Sequence, residues 1–153
     1  MNEIKLMKFM NHENVIQLYE VYESTKYIHL VLPHLTGGEL FTQINQKGLY
    51  RESDCMPVMK NFLNAIAYLH ENLIVHRDLK PENLIFASKD DNLSIIISDF
   101  GLAIQLTGHD KKLKMKCGSP GYVAPEVLDN LEYNCKADIF SAGAILFCML
   151  TGR

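Results

Sequence analysis

The sequence predicts an α+β domain in which a small strand pair precedes a mainly helical body, on three observations. Two β-branched and aromatic runs, residues 15–22 and 27–32, are joined by the polar Glu23-Ser24-Thr25-Lys26, as in an antiparallel pair. From Ser53 to His70, apolar residues recur at intervals of three and four. Residues 137–150 are apolar almost all round, the pattern of a helix buried on every side.

The elements follow in chain order. Residues 2–10 place Ile4, Leu6, Met7 and Met10 at the spacing of the last turns of an amphipathic helix. Pro33 ends the second strand, and Gly37-Gly38 opens a short helix from Glu39 to about Gln46. In the helix over residues 53–70 the apolar positions are Met56, Met59, Phe62, Leu63, Ile66, Ala67 and Leu69. Pro57 is tolerated there if Ser53 or Asp54 caps the helix, which leaves its missing N–H in the first turn; Asp54 is the expected cap. Leu84-Ile85-Phe86 and residues 94–97 are two short strands. An irregular stretch from Gly101 to Pro125 follows, and irregular segments of such length inside compact domains are usually functional. The methionines, among them Met56, Met59 and Met149, are expected in the core.

Composition excludes several function classes. A chain of 153 residues holds one ordinary domain, and 48% hydrophobic with 22% charged residues sets it apart from disordered chains. Fifteen Lys and Arg against eighteen Asp and Glu leave no basic footprint, so no nucleic acid is expected as a partner. The apolar run 139–150 is interrupted by Ser141 and Gly143 and is too short for a bilayer, so no membrane is expected either. Cys55, Cys117, Cys135 and Cys148 form no C-x-x-C pair, which argues against a disulfide frame or a zinc site. Charges near the N-terminus point to a reducing, cytoplasmic setting. The lysines at 111, 112, 114 and 116 read as a solvated loop rather than a phosphate site.

The chemistry concentrates in His76-Arg77-Asp78-Leu79-Lys80-Pro81-Glu82-Asn83, followed by Asp99-Phe100-Gly101 and Ala124-Pro125-Glu126. This series resembles the eukaryotic protein kinase signature H-R-D-L-x-x-x-N, D-F-G and A-P-E, in order. At roughly 5% usage per residue type, the first motif alone has odds on the order of 10⁻⁷ per window. The residue types also suit phosphoryl transfer on chemical grounds. That reaction needs a carboxylate to orient a hydroxyl and accept its proton, a cation beside the moving phosphoryl group, and oxygen ligands for Mg²⁺. Asp78, Lys80 and the pair Asn83 and Asp99 are of those types. A metal-dependent hydrolase built on Asp78 and Asp99 would leave the D-F-G and A-P-E contexts unexplained.

Asp78-Leu79-Lys80-Pro81-Glu82-Asn83 resembles the serine/threonine form of the loop. Tyr19-Glu20-Val21-Tyr22-Glu23, Gly37-Gly38-Glu39-Leu40-Phe41 and residues 121–128 look most like the calcium/calmodulin-dependent and calcium-dependent kinase group. The resemblance implies a kinase that moves the γ-phosphate of ATP, with Mg²⁺, onto Ser/Thr hydroxyls of protein substrates, under calcium or calmodulin control through other segments. It implies that Asp78, Lys80 and Asn83 are catalytic and that Asn83 and Asp99 hold the metal. It further assigns ATP contacts to Glu3, Leu32, Pro33, Leu35, Glu39, Glu82, Ile85 and Asp99. Glu3 takes the place of the glutamate that pairs with an ATP-anchoring lysine, Leu32 that of the gatekeeper, and Pro33-His34-Leu35 that of the adenine-binding hinge. Ser119 and Glu39 fall at substrate-docking positions, and Glu39 also meets the ribose. Asp138 falls where the family has a buried aspartate that holds the backbone around His76 and Arg77. Met115, two before Cys117, occupies a position that many relatives phosphorylate, and it has no hydroxyl; Thr107 is the remaining, weaker candidate.

By the same resemblance, residues 1–32 are a remnant of the N-lobe, 33–37 the hinge and 38–153 the first part of the C-lobe, an incomplete protein-kinase-like fold. No G-x-G-x-x-G occurs in the 153 residues. The isolated chain is therefore expected to be weak or inactive and to associate rather than stay monomeric. A non-catalytic, pseudokinase-like interaction protein or a gene fragment is the competing reading. Intact Asp78, Lys80, Asn83 and Asp99 favour the kinase, since a scaffold has no physical need of all four.

Overall fold

The computed structural model describes residues 2–152. Helix α1 (Asn2–Phe9) turns Leu6 and Met7 inward, and an antiparallel pair follows, β1 (Glu20–Glu23) and β2 (Ile28–Val31), with Glu20 opposite Val31. A connecting segment leads to α2 (Leu40–Lys47) and then to the long α3 (Glu52–Glu71). Next come β3 (Ile74–Val75), a 3₁₀ turn at Pro81–Asn83, and the antiparallel pair β4 (Leu84–Ser88) and β5 (Asp91–Ile97). β6 (Ile104–Gln105), the short α4 (Pro125–Leu128) and α5 (Lys136–Thr151) complete the order. The arrangement is mixed, with small two-stranded sheets, as the α+β reading of the sequence expects.

α3 begins earlier than its sequence suggests. Arg51, in extended backbone, is the flanking residue, and its carbonyl accepts the amides of Asp54 and Cys55 at 2.9 and 3.0 Å. Asp54 is thus inside the first turn rather than capping it. Pro57 then lies in the second turn, where its missing N–H leaves the carbonyl of exposed Ser53 to solvent. The buried stripe is Cys55, Val58, Met59, Phe62, Ala65, Ile66 and Leu69. Met56, Leu63 and Ala67 lie off it and are exposed, because one residue is a turn of about 100° and each sits one step past a buried position. Among the expected core methionines, Met59 and Met149 are buried and Met56 is not.

The main core joins α1, α3, β4, β5 and α5. The strand expected over 15–22 is shorter because its first residues serve β5 instead. The amide of Ile16 donates to Ile97 O and that of Ile97 to Asn14 O, both at 2.9 Å, which sinks Val15 and Ile16 into this core. Gly37 lies flat on β4, its amide 3.1 Å from Phe86 O. A Cβ there would stand 2.5 Å from both Phe86 Cβ and Ser88 O, so no other residue fits.

The stretch between Gly101 and Pro125 is less irregular than its composition suggests. β6 pairs with β3, Leu113 pairs with Tyr133, and a second cluster forms around Val75, Leu106, Leu113, Val127 and Tyr133. α5 buries one face through Ala142, Ile145 and Met149, while Ile139, Phe140 and Phe147 are exposed. Among the described residues α3 packs against α5, and the apolar face left exposed is what the expected association of the isolated chain calls for. Among the described residues no helix is long and apolar enough to cross a membrane.

Candidate active site

The loop between β3 and the 3₁₀ turn is held from below by α5. Asp138, 1% exposed in its first turn, accepts the amide of His76 at 3.0 Å and that of Arg77 at 2.9 Å. His70, at the end of α3, reaches the same carboxylate with Nε2 at 2.8 Å. The resemblance to the kinase family implied Asp138 as a backbone anchor, and nothing in the sequence marked His70, 68 positions away, as its partner. The bonds secure Arg77 at φ 70°, a left-handed conformation that a side chain adopts at a cost. His76 is fully buried, with its ring edge on Phe100. Nε2 donates to Ser98 O at 3.1 Å and Nδ1 accepts the amide of Asp78 at 3.3 Å, which fixes a neutral ring. Burial pulls its pKa below the ordinary histidine value.

Above this floor Asp78, Lys80, Asn83 and Ser119 form one bonded group. Asp78 Oδ1 accepts the hydroxyl of Ser119 at 2.7 Å, and Oδ2 lies 3.1 Å from Lys80 Nζ. Lys80 Nζ also donates to Ser119 Oγ at 3.0 Å. Asn83 donates from Nδ2 to Asp78 O at 2.9 Å and more weakly to Oδ2 at 3.4 Å, which turns its amide oxygen away from Asp78. Ser119, expected among substrate-docking residues, therefore touches the candidate base directly. It arrives there because Gly118, at φ 110°, passes so close to the loop that a Cβ would stand 2.8 Å from Arg77 O.

Glu3, Leu32, Pro33, Leu35, Ile85 and Asp99 line one cleft of about 300 Å³, brought together from α1, the end of β2, the connecting segment, β4 and the turn after β5. Asp99 is exposed at φ 58°, and its Oδ1 accepts the amide of Gly101 at 3.2 Å. Its neighbour Ser98 donates from N and Oγ to Asn83 O at 2.9 and 3.0 Å, which ties Asn83 beside Asp99. Leu40, Ile145 and Met149 are fully buried, with Ile85 at the cleft. Glu39 and Glu82 do not line it. Glu39 is exposed just before α2, with its backbone bridged to Ile85. Glu82 is half-buried, and its Oε2 has no hydrogen-bond partner among the described residues.

A protein kinase domain model matches residues 1–153. Calcium/calmodulin-dependent protein kinase type 1 of Caenorhabditis briggsae is 43% identical over 151 residues, 99% of this chain and 42% of that protein. Its namesake in Caenorhabditis elegans is 42% identical over 151 residues, 99% of this chain and 43% of that protein. Human calcium/calmodulin-dependent protein kinase type IV is 45% identical over 150 residues, 98% of this chain and 32% of that protein. The chain thus spans less than half the length of each of these relatives. Since the family match runs from the first residue to the last, the chain belongs to the protein kinase family.

Proposed function

We propose that the native polypeptide carrying this sequence is a serine/threonine protein kinase that transfers the γ-phosphate of ATP to hydroxyls of protein substrates. The observation that carries this reading is the Ser119 hydroxyl itself, 2.7 Å from Asp78 Oδ1 and 3.0 Å from Lys80 Nζ. A hydroxyl fits between this carboxylate and this cation, which is the environment an acceptor hydroxyl needs. Asp78 orients the acceptor and takes its proton, and Lys80 offsets charge beside it. Asn83 and Asp99 suit Mg²⁺: both offer hard oxygen, Asn83 through the amide oxygen turned away from Asp78 and Asp99 through an exposed carboxylate. The metal, when bound, draws charge from the phosphates.

The cleft residues accept the nucleotide in this reading. Leu32 and Ile85 offer apolar walls, the Pro33 carbonyl and Leu35 N–H the polar contacts, and Glu3 the partner for an anchoring lysine. Glu39, whose backbone is bridged to the cleft residue Ile85, and Glu82 are assigned to ribose, nucleotide and basic substrate groups, and Ser119 to docking. The same reading divides the chain into lobe, hinge and lobe at residues 1–32, 33–37 and 38–153. A cytoplasmic setting belongs to it as well, supported by four free thiols. Calcium/calmodulin control, carried in the relatives' names, is extended here to the native polypeptide.

The test is incubation of that polypeptide with labelled ATP, Mg²⁺ and a basic serine-containing peptide. Label on serine, abolished by Asp78→Asn, is expected, with higher turnover when Ca²⁺ and calmodulin are added. Nucleotide binding without transfer would favour the interaction-protein reading. Transfer indifferent to calmodulin would remove that form of control.

A further inference from the structure

Residues 113–119 have no regular structure, yet they are tied closely to the segment before α5. Leu113 and Tyr133 exchange both backbone bonds, at 2.8 and 2.9 Å. Lys114 pairs with Glu132 at 3.0 Å, and Lys116 Nζ donates to Leu128 O at 3.0 Å, but these lysines are exposed and such contacts contribute little. Tyr133 differs from them. It is 3% exposed, its hydroxyl donates to Met115 O at 2.6 Å, and Cys117 Sγ lies 3.7 Å away. Burial raises its phenol pKa, so the group is a donor at neutral pH.

The bond matters because of what lies four residues on. From Met115 the chain runs through Cys117 and the glycine that brushes Arg77 O to Ser119, whose hydroxyl touches both Asp78 and Lys80. Only four residues of backbone link Met115 to Ser119, and they are pinned at Gly118 against Arg77 O.

We infer that Tyr133 is a positioning residue: its hydroxyl seats the segment that presents Ser119 to Asp78, so the segment is held by bonds within the chain and needs no charged group at position 115. The effect on turnover rests on the kinase reading; the effect on the segment does not.

The test is Tyr133→Phe in the native polypeptide, which removes one oxygen and keeps the ring. The variant loses the bond to Met115 O together with the hydroxyl's contacts to Cys117 Sγ and the Arg77 side chain, and a fall in kcat of about tenfold with KM for ATP unchanged is expected. Amide exchange at 115–119 should quicken while the amides of α3 and α5 keep their protection. Lys114→Ala, which breaks an exposed pair, should leave both readouts at wild-type values. An unchanged kcat or unchanged exchange in Tyr133→Phe overturns the inference, and so does faster exchange throughout α3 and α5, the sign of general destabilisation. Wild-type protein without phosphoryl transfer would sink the kinase reading, while the exchange data would still decide whether Tyr133 seats the segment.

Discussion

Arg77 donates its backbone N–H to Asp138 Oδ1 at 2.9 Å, 61 positions away in the chain. The bond supports a left-handed residue directly before the candidate base, so the geometry of Asp78 depends on a buried carboxylate that touches neither cleft nor solvent. Asp138→Asn keeps one acceptor and places an amide N–H against another donor, whichever way the amide turns. It should cost about 3 kcal/mol, the penalty of a buried donor left unpaired, and lower turnover as well. Urea unfolding of the native polypeptide, with an activity assay, checks both.

Asp78 and Asp99 should separate in their kinetics. Asp78 bonds Ser119 and Lys80, whereas Asp99 faces the cleft. Asp78→Asn is expected to reduce kcat by about 10²–10⁴-fold with ATP affinity largely kept. Asp99→Asn should instead weaken Mg²⁺-dependent nucleotide binding, measured by titration calorimetry. Equal affinity losses in the two variants would contradict the assignment.

Phosphate within residues 101–125 should be dispensable. Met115 cannot carry one, and Thr107 is exposed with no bond to the loop residues among those described. A phosphate on Ser119 would bring nearly two negative charges against the Asp78 carboxylate, now 2.7 Å from the hydroxyl. Mass spectrometry of active protein should find Ser119 unmodified, and Thr107→Ala should retain wild-type turnover. A phosphate on either residue that proves essential for turnover would refute this.

His76 makes stability depend on pH. Its folded pKa lies below the ordinary 6.5, chiefly through burial. As pH falls through about 6.5, the unfolded chain takes up a proton that the folded chain refuses until lower pH. The unfolded state then binds more protons, so stability is full above that pH and declines below it, by at most about 1.4 kcal/mol per pH unit. His76→Gln should show a shallower decline between pH 6.5 and 5 in unfolding midpoints; identical slopes would remove His76 as the source.

Local patterns made part of this molecule legible before any coordinates. The spacing of Asp78, Lys80 and Asn83 lies within one loop, and the apolar rows of α3 and α5 follow from their residue periods, so each is set by near neighbours in sequence. The same periods could not say which apolar residues face inward: Met56 and Leu63 read as core and are exposed, because burial depends on where β5 and α5 pack. β3 and β6, two residues each, carry too little pattern to be seen, and they exist because each satisfies the other's backbone. The cap of α3 fell on Arg51 rather than Asp54, since the chain enters that helix extended from Tyr50, whose amide is held by Met149 O at 3.0 Å. Ser119 on Asp78, His70 on Asp138 and Tyr133 on Met115 join residues 18 to 68 positions apart. Such bonds form only where folding brings donor and acceptor together away from water, a condition set by packing across the whole chain.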